Sequence, residues 1–162
     1  MKSRNYEVQQ MKLWLLRHGE AEVQARTDAL RELTHHGRKQ VVRSAAQLVG
    51  RPLSAILASP YVRTQQSAQL LRETLGIAEE IITVPWLTPD GDLAQVLHYL
   101  DTHSEQELVL VTHQPLVGQL AGMLMHGHRQ TPLPMHTASL AQLDGEFALA
   151  GSMYLTSLEH QP

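Results

Sequence analysis

Short apolar runs alternate with longer segments of helical periodicity along most of this chain. Residues 12–16, 54–58 and 108–111 form runs of strand length, and their continuous apolar character is typical of strands covered on both faces. Residues 80–84 predict a further short strand. Because segments of helical character separate these runs, the pattern predicts an α/β fold with a mostly parallel central sheet.

Helix start and stop signals lie between these runs. Thr34 is placed to cap a helix, Ser59 followed by Pro60 predicts the start of a second one, and Gly76 predicts its end. The four predicted helices span residues 36–49, 60–75, 92–100 and 115–125. Helices of this number and spacing fit a three-layer α/β/α sandwich around the sheet.

The end of the chain has a different pattern. Residues 138–143 and 147–157 resemble two further strands, and Asp144-Gly145 between them is a hairpin signal. Consecutive strands joined by a tight turn pair in the antiparallel sense. The sequence therefore predicts an antiparallel C-terminal end on an otherwise parallel sheet.

Composition limits the class of protein. The chain has 162 residues, of which 43% are apolar and 18% are charged, so we expect one domain with a sizeable core. The net charge of −3 argues against a non-specific nucleic-acid binder, which needs a basic face. Because the chain has no cysteine, it has no disulfide, no thiolate nucleophile and no cysteine-ligated metal.

Two features concern location and domain limits. The longest apolar stretches are shorter than the roughly 18 residues that a membrane helix requires, and the polar N-terminus lacks the apolar segment of a secretory signal. We therefore expect a cytoplasmic protein that does not associate with membranes. Residues 1–10 differ in character from the rest, so we expect a single domain over residues 11–162 preceded by a short extra segment.

Candidate chemistry gathers where the predicted strands end, which is where ligands bind in open α/β sheets. Arg17 and His18 directly follow the first strand, Arg63 lies in the first turn of the helix after the second strand, and His113 follows the strand at 108–111. One edge of a slightly acidic chain is thus expected to hold two arginines and two histidines. Guanidinium groups and helix N-termini both favour anions, so this edge predicts a phosphate site.

Four motifs resemble those of the histidine phosphatase superfamily, whose members share the phosphoglycerate mutase-like fold. They cover nearly the whole core from residue 11 onwards, and they stand in the family's order: Leu16-Arg17-His18-Gly19-Glu20, Leu33-Thr34-x-x-Gly37, Ser59-Pro60-x-x-Arg63-Thr64-x-Gln66 and Val111-Thr112-His113. The chain lacks room for the large helical insertions of longer members. With the segments 87–92 and 113–118, it is most similar to the SixA-type phosphohistidine phosphatases, which are small single-domain enzymes.

The resemblance implies a role for each residue at the predicted phosphate site. His18 matches the nucleophile, which forms a phosphohistidine intermediate that water then hydrolyses. Arg17 and Arg63 match the phosphate-binding arginines, His113 matches the second histidine that contacts the phosphoryl group, and Gly19 is a further candidate for substrate binding. No metal and no organic cofactor is implied, since the two arginines supply the positive charge.

The sequence does not single out a general acid. Relatives that cleave phosphate esters protonate the departing alkoxide with a carboxylic acid, and here Glu20, Asp90 and Asp92 are candidates by location alone. The imidazole that leaves phosphohistidine is far less basic than an alkoxide and has less need of such an acid. This argument favours phosphohistidine over sugar phosphates as the substrate.

Taken with the resemblance, the sequence predicts a monomeric phosphatase that acts on the phosphohistidine of a histidine-containing phosphotransfer protein, without nucleic acid as a partner. Two alternatives remain open: a broad small-molecule phosphomonoesterase on the same scaffold, and a non-catalytic module that binds phosphorylated partners. The set of Arg17, His18, Arg63 and His113 argues against the non-catalytic module, because a pure binder does not need a nucleophile.

Overall fold

The structure is a computed structural model that describes residues 10–104 and 106–162. Strands and helices alternate through most of the chain, and two strands follow the last helix: β1 Met11–Arg17, α1 His35–Ala46, β2 Ala55–Ala58, α2 Val62–Leu75, β3 Ile82–Thr83, α3 Leu93–Asp101, β4 Glu107–Thr112, α4 Leu116–His126, β5 Leu140–Gly145 and β6 Tyr154–Glu159. Short 3₁₀ turns occur at Asp28–Leu30 and Pro85–Leu87. Nine of the ten residues that the sequence sets apart, 1–9, lie outside the described residues.

All six strands form one sheet in the order β3-β2-β4-β1-β5-β6. The pairs β3–β2, β2–β4 and β4–β1 are parallel, whereas β1–β5 and β5–β6 are antiparallel. The first strand of the chain is therefore central, with β4 on one side and β5 on the other. The predicted mostly parallel sheet with an antiparallel C-terminal end is confirmed.

Helices cover both faces of the sheet. Leu13 and Leu15 of β1 pack in a core cluster with buried residues of α3 and α4, while Trp14 and Leu16 pack with buried residues of α1 and α2. Burying a leucine of this kind contributes about 1.5–3 kcal/mol, so both faces of β1 need cover. This explains the continuous apolar run in the sequence, and it confirms the three-layer α/β/α sandwich.

Local signals begin and end the helices largely as the sequence predicts. The Thr34 side chain accepts a hydrogen bond from the Gly37 N–H at 2.9 Å and caps α1. Gly76 ends α2 in the left-handed conformation with a φ of 66°, which favours glycine. Asp92 caps α3 by accepting from the Ala94 N–H at 2.9 Å.

The predicted hairpin turn at Asp144-Gly145 is wrong. Both residues lie in β5, and the chain returns only at Tyr154, after the connection at residues 146–153. Asp144 is buried, and its carboxylate accepts hydrogen bonds from Lys12 Nζ at 2.7 Å and from Thr156 Oγ1. These long-range partners hold Asp144 in a strand, although the Asp-Gly pair alone favours a turn.

The predicted start of the second helix is also wrong, by two residues. The helix α2 begins at Val62 rather than at Pro60, and its N-cap residue is Tyr61. Ser59 Oγ accepts a hydrogen bond from the Tyr61 N–H at 3.1 Å in the turn that precedes the helix. The Ser59 side chain is therefore a turn residue, and its hydroxyl faces the site described below.

In the part of the chain that the structure describes, no helix combines the length and the apolar character that crossing a membrane requires.

Candidate active site

The carboxyl ends of three parallel strands place the predicted site residues side by side. In the sheet register, Arg17 at the end of β1 lies opposite Thr112, and Ala58 at the end of β2 lies opposite Val111. The next residue of each strand stays anchored to the sheet, because the His18 N–H donates to Thr112 O at 3.1 Å and the Ser59 N–H donates to Val111 O at 3.2 Å. His18, Ser59 and His113 therefore leave the sheet at one edge, where α/β folds bind ligands.

The orientation of the His18 ring is set by the residue that follows it. His18 is only 6% exposed, and its Nδ1 lies 2.7 Å from the carbonyl oxygen of Gly19. A carbonyl only accepts hydrogen bonds, so Nδ1 carries the proton and Nε2 carries the lone pair of the neutral ring. The Nε–H of Arg63 donates to this Nε2 at 3.3 Å. The lone pair of Nε2 thus points at a guanidinium group.

Burial keeps His18 in the neutral form. Burial first, and then the charges of Arg63 and Arg17, lower the pKa of His18 from its ordinary value of about 6.5 to about 4, against the bond to Gly19, which raises it. Protonation would consume the lone pair on Nε2. At neutral pH the ring is therefore unprotonated and available for attack on an electrophile.

Gly19 joins the segment that follows His18 to two helices, α1 and α2. Its N–H donates to Ser67 Oγ of α2 at 3.2 Å, while its carbonyl orients His18. A Cβ added to Gly19 would come within 2.4 Å of the carbonyl oxygen of Gly37 in α1, so backbone packs directly on backbone there. Only glycine fits at this position, because there is no room for a side chain. Its backbone is occupied with positioning, and a role in substrate binding stays a prediction.

Two arginines lie near His18, and their positive charges both act on its ring. Arg63 is 4% exposed in the first turn of α2, and Arg17 is half-buried at the end of β1, where its Nη1 donates to Met135 O at 3.0 Å. Burial first, and then the charge of Arg63, lower the pKa of Arg17. Two guanidinium groups so close together repel each other, and an anion between them relieves the repulsion.

The second histidine, His113, lies beside His18. It is 1% exposed, its ring centroid lies 5.2 Å from that of His18, and Tyr61 packs edge-on against it at 5.0 Å. Burial first, and then His18 and Arg63, hold the pKa of His113 well below its ordinary value, so this ring is also neutral. His113 Nε2 lies 2.8 Å from Ser59 Oγ, which links the second histidine to β2.

Two buried side-chain nitrogens at this edge, Arg17 Nε and His113 Nδ1, have no hydrogen-bond partner among the described residues. A buried polar group without a partner costs about 1–3 kcal/mol, and such groups are concentrated at functional sites. Arg17 Nε is a donor. His113 Nδ1 is a donor as well when Ser59 donates its hydroxyl hydrogen to Nε2. The two nitrogens therefore suit a ligand that presents oxygen acceptors.

Asp28 is a residue of the site that the sequence did not predict. Its carbonyl oxygen accepts from Arg63 Nη1 at 2.7 Å, its carboxylate accepts from Arg63 Nη2 at 3.1 Å, and the same carboxylate accepts from Arg31 Nη1 at 3.0 Å. These hydrogen bonds, that from Arg31 first, lower the pKa of Asp28, so it is an ionised group and a poor proton donor. No local pattern marks Asp28, because its contact with Arg63 spans 35 residues of sequence that include α1 and β2.

The three carboxylates named as candidate acids have other partners. Glu20 Oε1 accepts from Thr34 Oγ1 at 2.8 Å, Asp92 caps α3, and Asp90 Oδ1 accepts from Thr88 Oγ1 at 3.3 Å. Within residues 10–104 and 106–162, none of the three forms a hydrogen bond with the four predicted catalytic residues. The structure gives no support for any of them as the general acid.

Over the described ranges, no group of three or more histidine, cysteine, aspartate or glutamate side chains is arranged to hold a metal ion. The positive charge at the site comes from guanidinium groups. The structure therefore brings together the neutral imidazole of His18, a second neutral imidazole and two cations. This set matches the needs of phosphoryl transfer, in which charge on the phosphoryl oxygens must be stabilised while the nucleophile attacks in line.

Comparison with known proteins agrees with this geometry. The family described as the histidine phosphatase superfamily (branch 1) matches residues 13–88, which include His18 and both arginines. The phosphohistidine phosphatase SixA homolog of Haemophilus influenzae is 34% identical over 145 residues, which cover 82% of this chain and 87% of that protein. The chain belongs to the histidine phosphatase superfamily.

Similarity to this superfamily extends past the matched segment. The phosphohistidine phosphatase SixA of Escherichia coli is 32% identical over 134 residues, covering 80% of this chain and 81% of that protein. The solved structure of the protein histidine phosphatase SixA complexed with tungstate superposes with a TM-score of 0.83 at 27% identity, over 93% of this chain and 97% of that one. The predicted family, the predicted SixA-like subfamily and the phosphoglycerate mutase-like fold are confirmed.

Proposed function

We propose that this chain is a phosphohistidine phosphatase, which removes the phosphoryl group from a histidine of a phosphotransfer protein through a phosphohistidine intermediate on His18. One observation carries the proposal: His18 is buried and neutral, with the lone pair of its Nε2 directed at Arg63. Similarity over most of both chains to proteins named phosphohistidine phosphatase supports the same activity.

In the first step, Nε2 of His18 attacks the phosphorus of the substrate in line with the bond to the departing imidazole. A P–N bond forms to His18 as the P–N bond of the substrate breaks, and the electron pair of the broken bond returns to the substrate nitrogen. When the other ring nitrogen of the substrate carries a proton, the leaving group is a neutral imidazole. The hydrogen bond from Nδ1 to Gly19 O stabilises the positive charge that develops on His18.

In the second step, water attacks the phosphoryl group on His18. An O–P bond forms, the P–N bond breaks, and its electron pair returns to Nε2, which regenerates the neutral ring. Both protons of the water leave with the released phosphate, as dihydrogen phosphate. Arg17 and Arg63 neutralise the phosphoryl oxygens in both steps, and the Nδ1 of His113 donates to one of them. Hydrogen bonds from charged donors contribute about 1.5–3 kcal/mol each, roughly twice the value of neutral ones.

Substrate choice follows from the groups that surround the leaving atom. Phosphate esters require a proton donor for the alkoxide, whereas Asp28, the carboxylate that contacts Arg63 among the described residues, is ionised. Phosphohistidine needs no such donor when its ring leaves as neutral imidazole. The absence of a placed acid among the described residues therefore supports phosphohistidine over phosphate esters as substrate.

The test compares phosphate release from a phosphohistidine phosphotransfer protein with release from a phosphoserine peptide, using the chain and its His18→Ala variant. We expect release from phosphohistidine alone and none with the variant. Brief labelling with a phosphorus-32 substrate, followed by acid or alkali quench, is expected to leave an acid-labile, alkali-stable phosphoryl group on the chain. Equal release from both substrates would instead identify a broad phosphomonoesterase, and binding without labelling would identify a non-catalytic module.

A further inference from the structure

One face of helix α1 carries basic side chains without any acidic residue beside them. Arg38, Lys39 and Arg43 are exposed, and none of the twelve residues of α1 is aspartate or glutamate. The helix thus has a formal charge of +3 in a chain whose net charge is −3. Across the described part of the chain, none of these three side chains lies within 4.0 Å of a carboxylate. Their charge faces solvent uncompensated.

These residues line a groove. Together with His35 and Val42, the three basic residues line a shallow groove that is open to solvent on one face of α1. Positions 35, 38, 39, 42 and 43 have the spacing of a single helix face, and Val42 gives the groove an apolar floor that is 42% exposed. We refer to the surface formed by His35, Arg38, Lys39, Val42 and Arg43 as the basic groove.

The basic groove begins beside the segment that follows His18, which we call the rim of the candidate active site. The Thr34 N–H donates to Glu20 O at 3.0 Å, and Gln40 Oε1 accepts from the Glu20 N–H at 2.9 Å, so the first turns of α1 hold the residue two positions after His18. From His35 to Arg43 the helix rises about 12 Å, at about 1.5 Å per residue. The groove therefore extends from the rim over a distance that a protein surface spans and a free phosphoamino acid does not.

We propose that the basic groove docks an acidic surface of the protein whose phosphohistidine reacts with His18. This inference rests on the proposed function, because it names the kind of partner that presents the phosphoryl group. A phosphohistidine on a protein reaches a buried nucleophile only when the surrounding surface of that protein lies on the rim. The uncompensated cations of α1 complement carboxylates there, and such fields raise association rates about 10- to 1,000-fold at low salt.

The experiment uses two substrates that differ only in what surrounds the phosphoryl group. One is a helical phosphotransfer protein with carboxylates around its phosphohistidine, and the other is phosphoramidate, which has no protein surface. In the variant Arg38→Glu/Lys39→Glu/Arg43→Glu, we expect kcat/KM for the protein to fall by about tenfold or more at low salt. Turnover of phosphoramidate is expected to stay unchanged. The difference is expected to shrink in about 0.5 M salt, where exposed charges are screened.

Matched variants separate the position of a charge from its amount. Arg38→Glu and Arg129→Glu change the net charge equally. Arg129 is exposed, but it lies outside the basic groove, beyond the end of α4 and close to Gly127 and Gly151. We expect only Arg38→Glu to slow turnover of the phosphoprotein. The milder triple variant Arg38→Gln/Lys39→Gln/Arg43→Gln, with folding checked by circular dichroism, keeps the test valid if the charge reversal disturbs the helix.

Binding distinguishes failure of docking from failure of the proposed function. Fluorescence anisotropy measures the affinity of the unphosphorylated acidic protein, which does not depend on chemistry. Equal affinity in the chain and in the triple reversal overturns the docking proposal, as does an equal loss of turnover with both substrates. Loss of binding in the triple reversal, combined with no hydrolysis by the unaltered chain, overturns the function and keeps the docking surface. Tighter binding to an oligonucleotide or to anionic vesicles assigns the groove to those ligands and overturns the proposal.

Discussion

The contact between Ser59 and His113 makes a prediction about proton position. Ser59 is fully buried, and its Oγ accepts from the Tyr61 N–H while lying 2.8 Å from His113 Nε2. The hydroxyl hydrogen finds no other acceptor among the hydrogen bonds of the described residues. Ser59 therefore donates to Nε2, and the proton of the neutral His113 ring stays on Nδ1, the nitrogen without a partner.

Replacing Ser59 with alanine removes this preference. A hydrogen bond contributes about 0.5–1.5 kcal/mol net, and about 1.4 kcal/mol corresponds to a factor of ten, so the ratio of the Nδ1–H form to the Nε2–H form of His113 falls by roughly two- to tenfold. In the proposed mechanism Nδ1–H is the form that donates to the phosphoryl group, so we expect kcat to fall by at most this factor. KM is expected to change little, since Arg17 and Arg63 keep their contacts.

Two measurements test Ser59→Ala. Nitrogen-15 NMR of ring-labelled histidine reports which nitrogen of His113 carries the proton, and steady-state kinetics on a phosphohistidine substrate gives kcat and KM separately. Ser44→Ala is the control, because Ser44 is also buried and donates to the carbonyl of Ala138 at 2.5 Å without touching His113. A drop in kcat with no change in the His113 tautomer, or an equal drop in the control, would refute the reasoning.

Three further predictions concern charge and space around the nucleophile. Because the pKa of His18 is about 4 in the folded chain and about 6.5 when unfolded, the unfolded state binds more protons between those values. The free energy of unfolding should therefore fall as pH drops through this window, by roughly 3 kcal/mol from this group, and a His18→Asn variant should show a smaller slope in urea titrations at several pH values. Asp28→Asn removes the carboxylate that competes for Arg63, so inhibition by inorganic phosphate should strengthen by at most about fivefold, given the exposure of that carboxylate; weaker inhibition contradicts this. Gly37→Ala places a Cβ 2.0 Å from the Glu20 carbonyl, and a loss of about 1–3 kcal/mol in urea unfolding is expected, whereas an unchanged midpoint would show that the contact relaxes freely.

The central sheet was predictable because its strands are covered on both faces. An apolar run such as 108–111 has few alternatives once it is too short for a helix, and the strand-end position of His113 follows directly from it. Thr34 and Gly76 were predictable for a similar reason, since capping depends on neighbours within a few residues. These strands and caps depend on residues that are close together in the sequence, so the sequence alone is enough to predict them.

Features decided by distant partners were not predictable. Asp144 stays in a strand because Lys12 and Thr156 bind its carboxylate, and Asp28 reaches the site because Arg63 lies 35 residues away. Ser59 is a residue type that often caps helices, and a proline follows it. Its hydroxyl nevertheless forms a hydrogen bond with His113, which is distant in the sequence. In each case a contact across the fold determines the role, and no periodicity records it.

The backbone contact between Gly19 and Gly37 has a consequence for how such a chain can change over time. Neither position has space for a side chain, so the inner side of α1 must pack directly on the backbone of the segment that follows His18. The outer side of the same helix has no such restriction, because its side chains project into solvent. Mutation can therefore rewrite the outer surface, and with it the choice of partner, while the geometry at His18 is inherited unaltered.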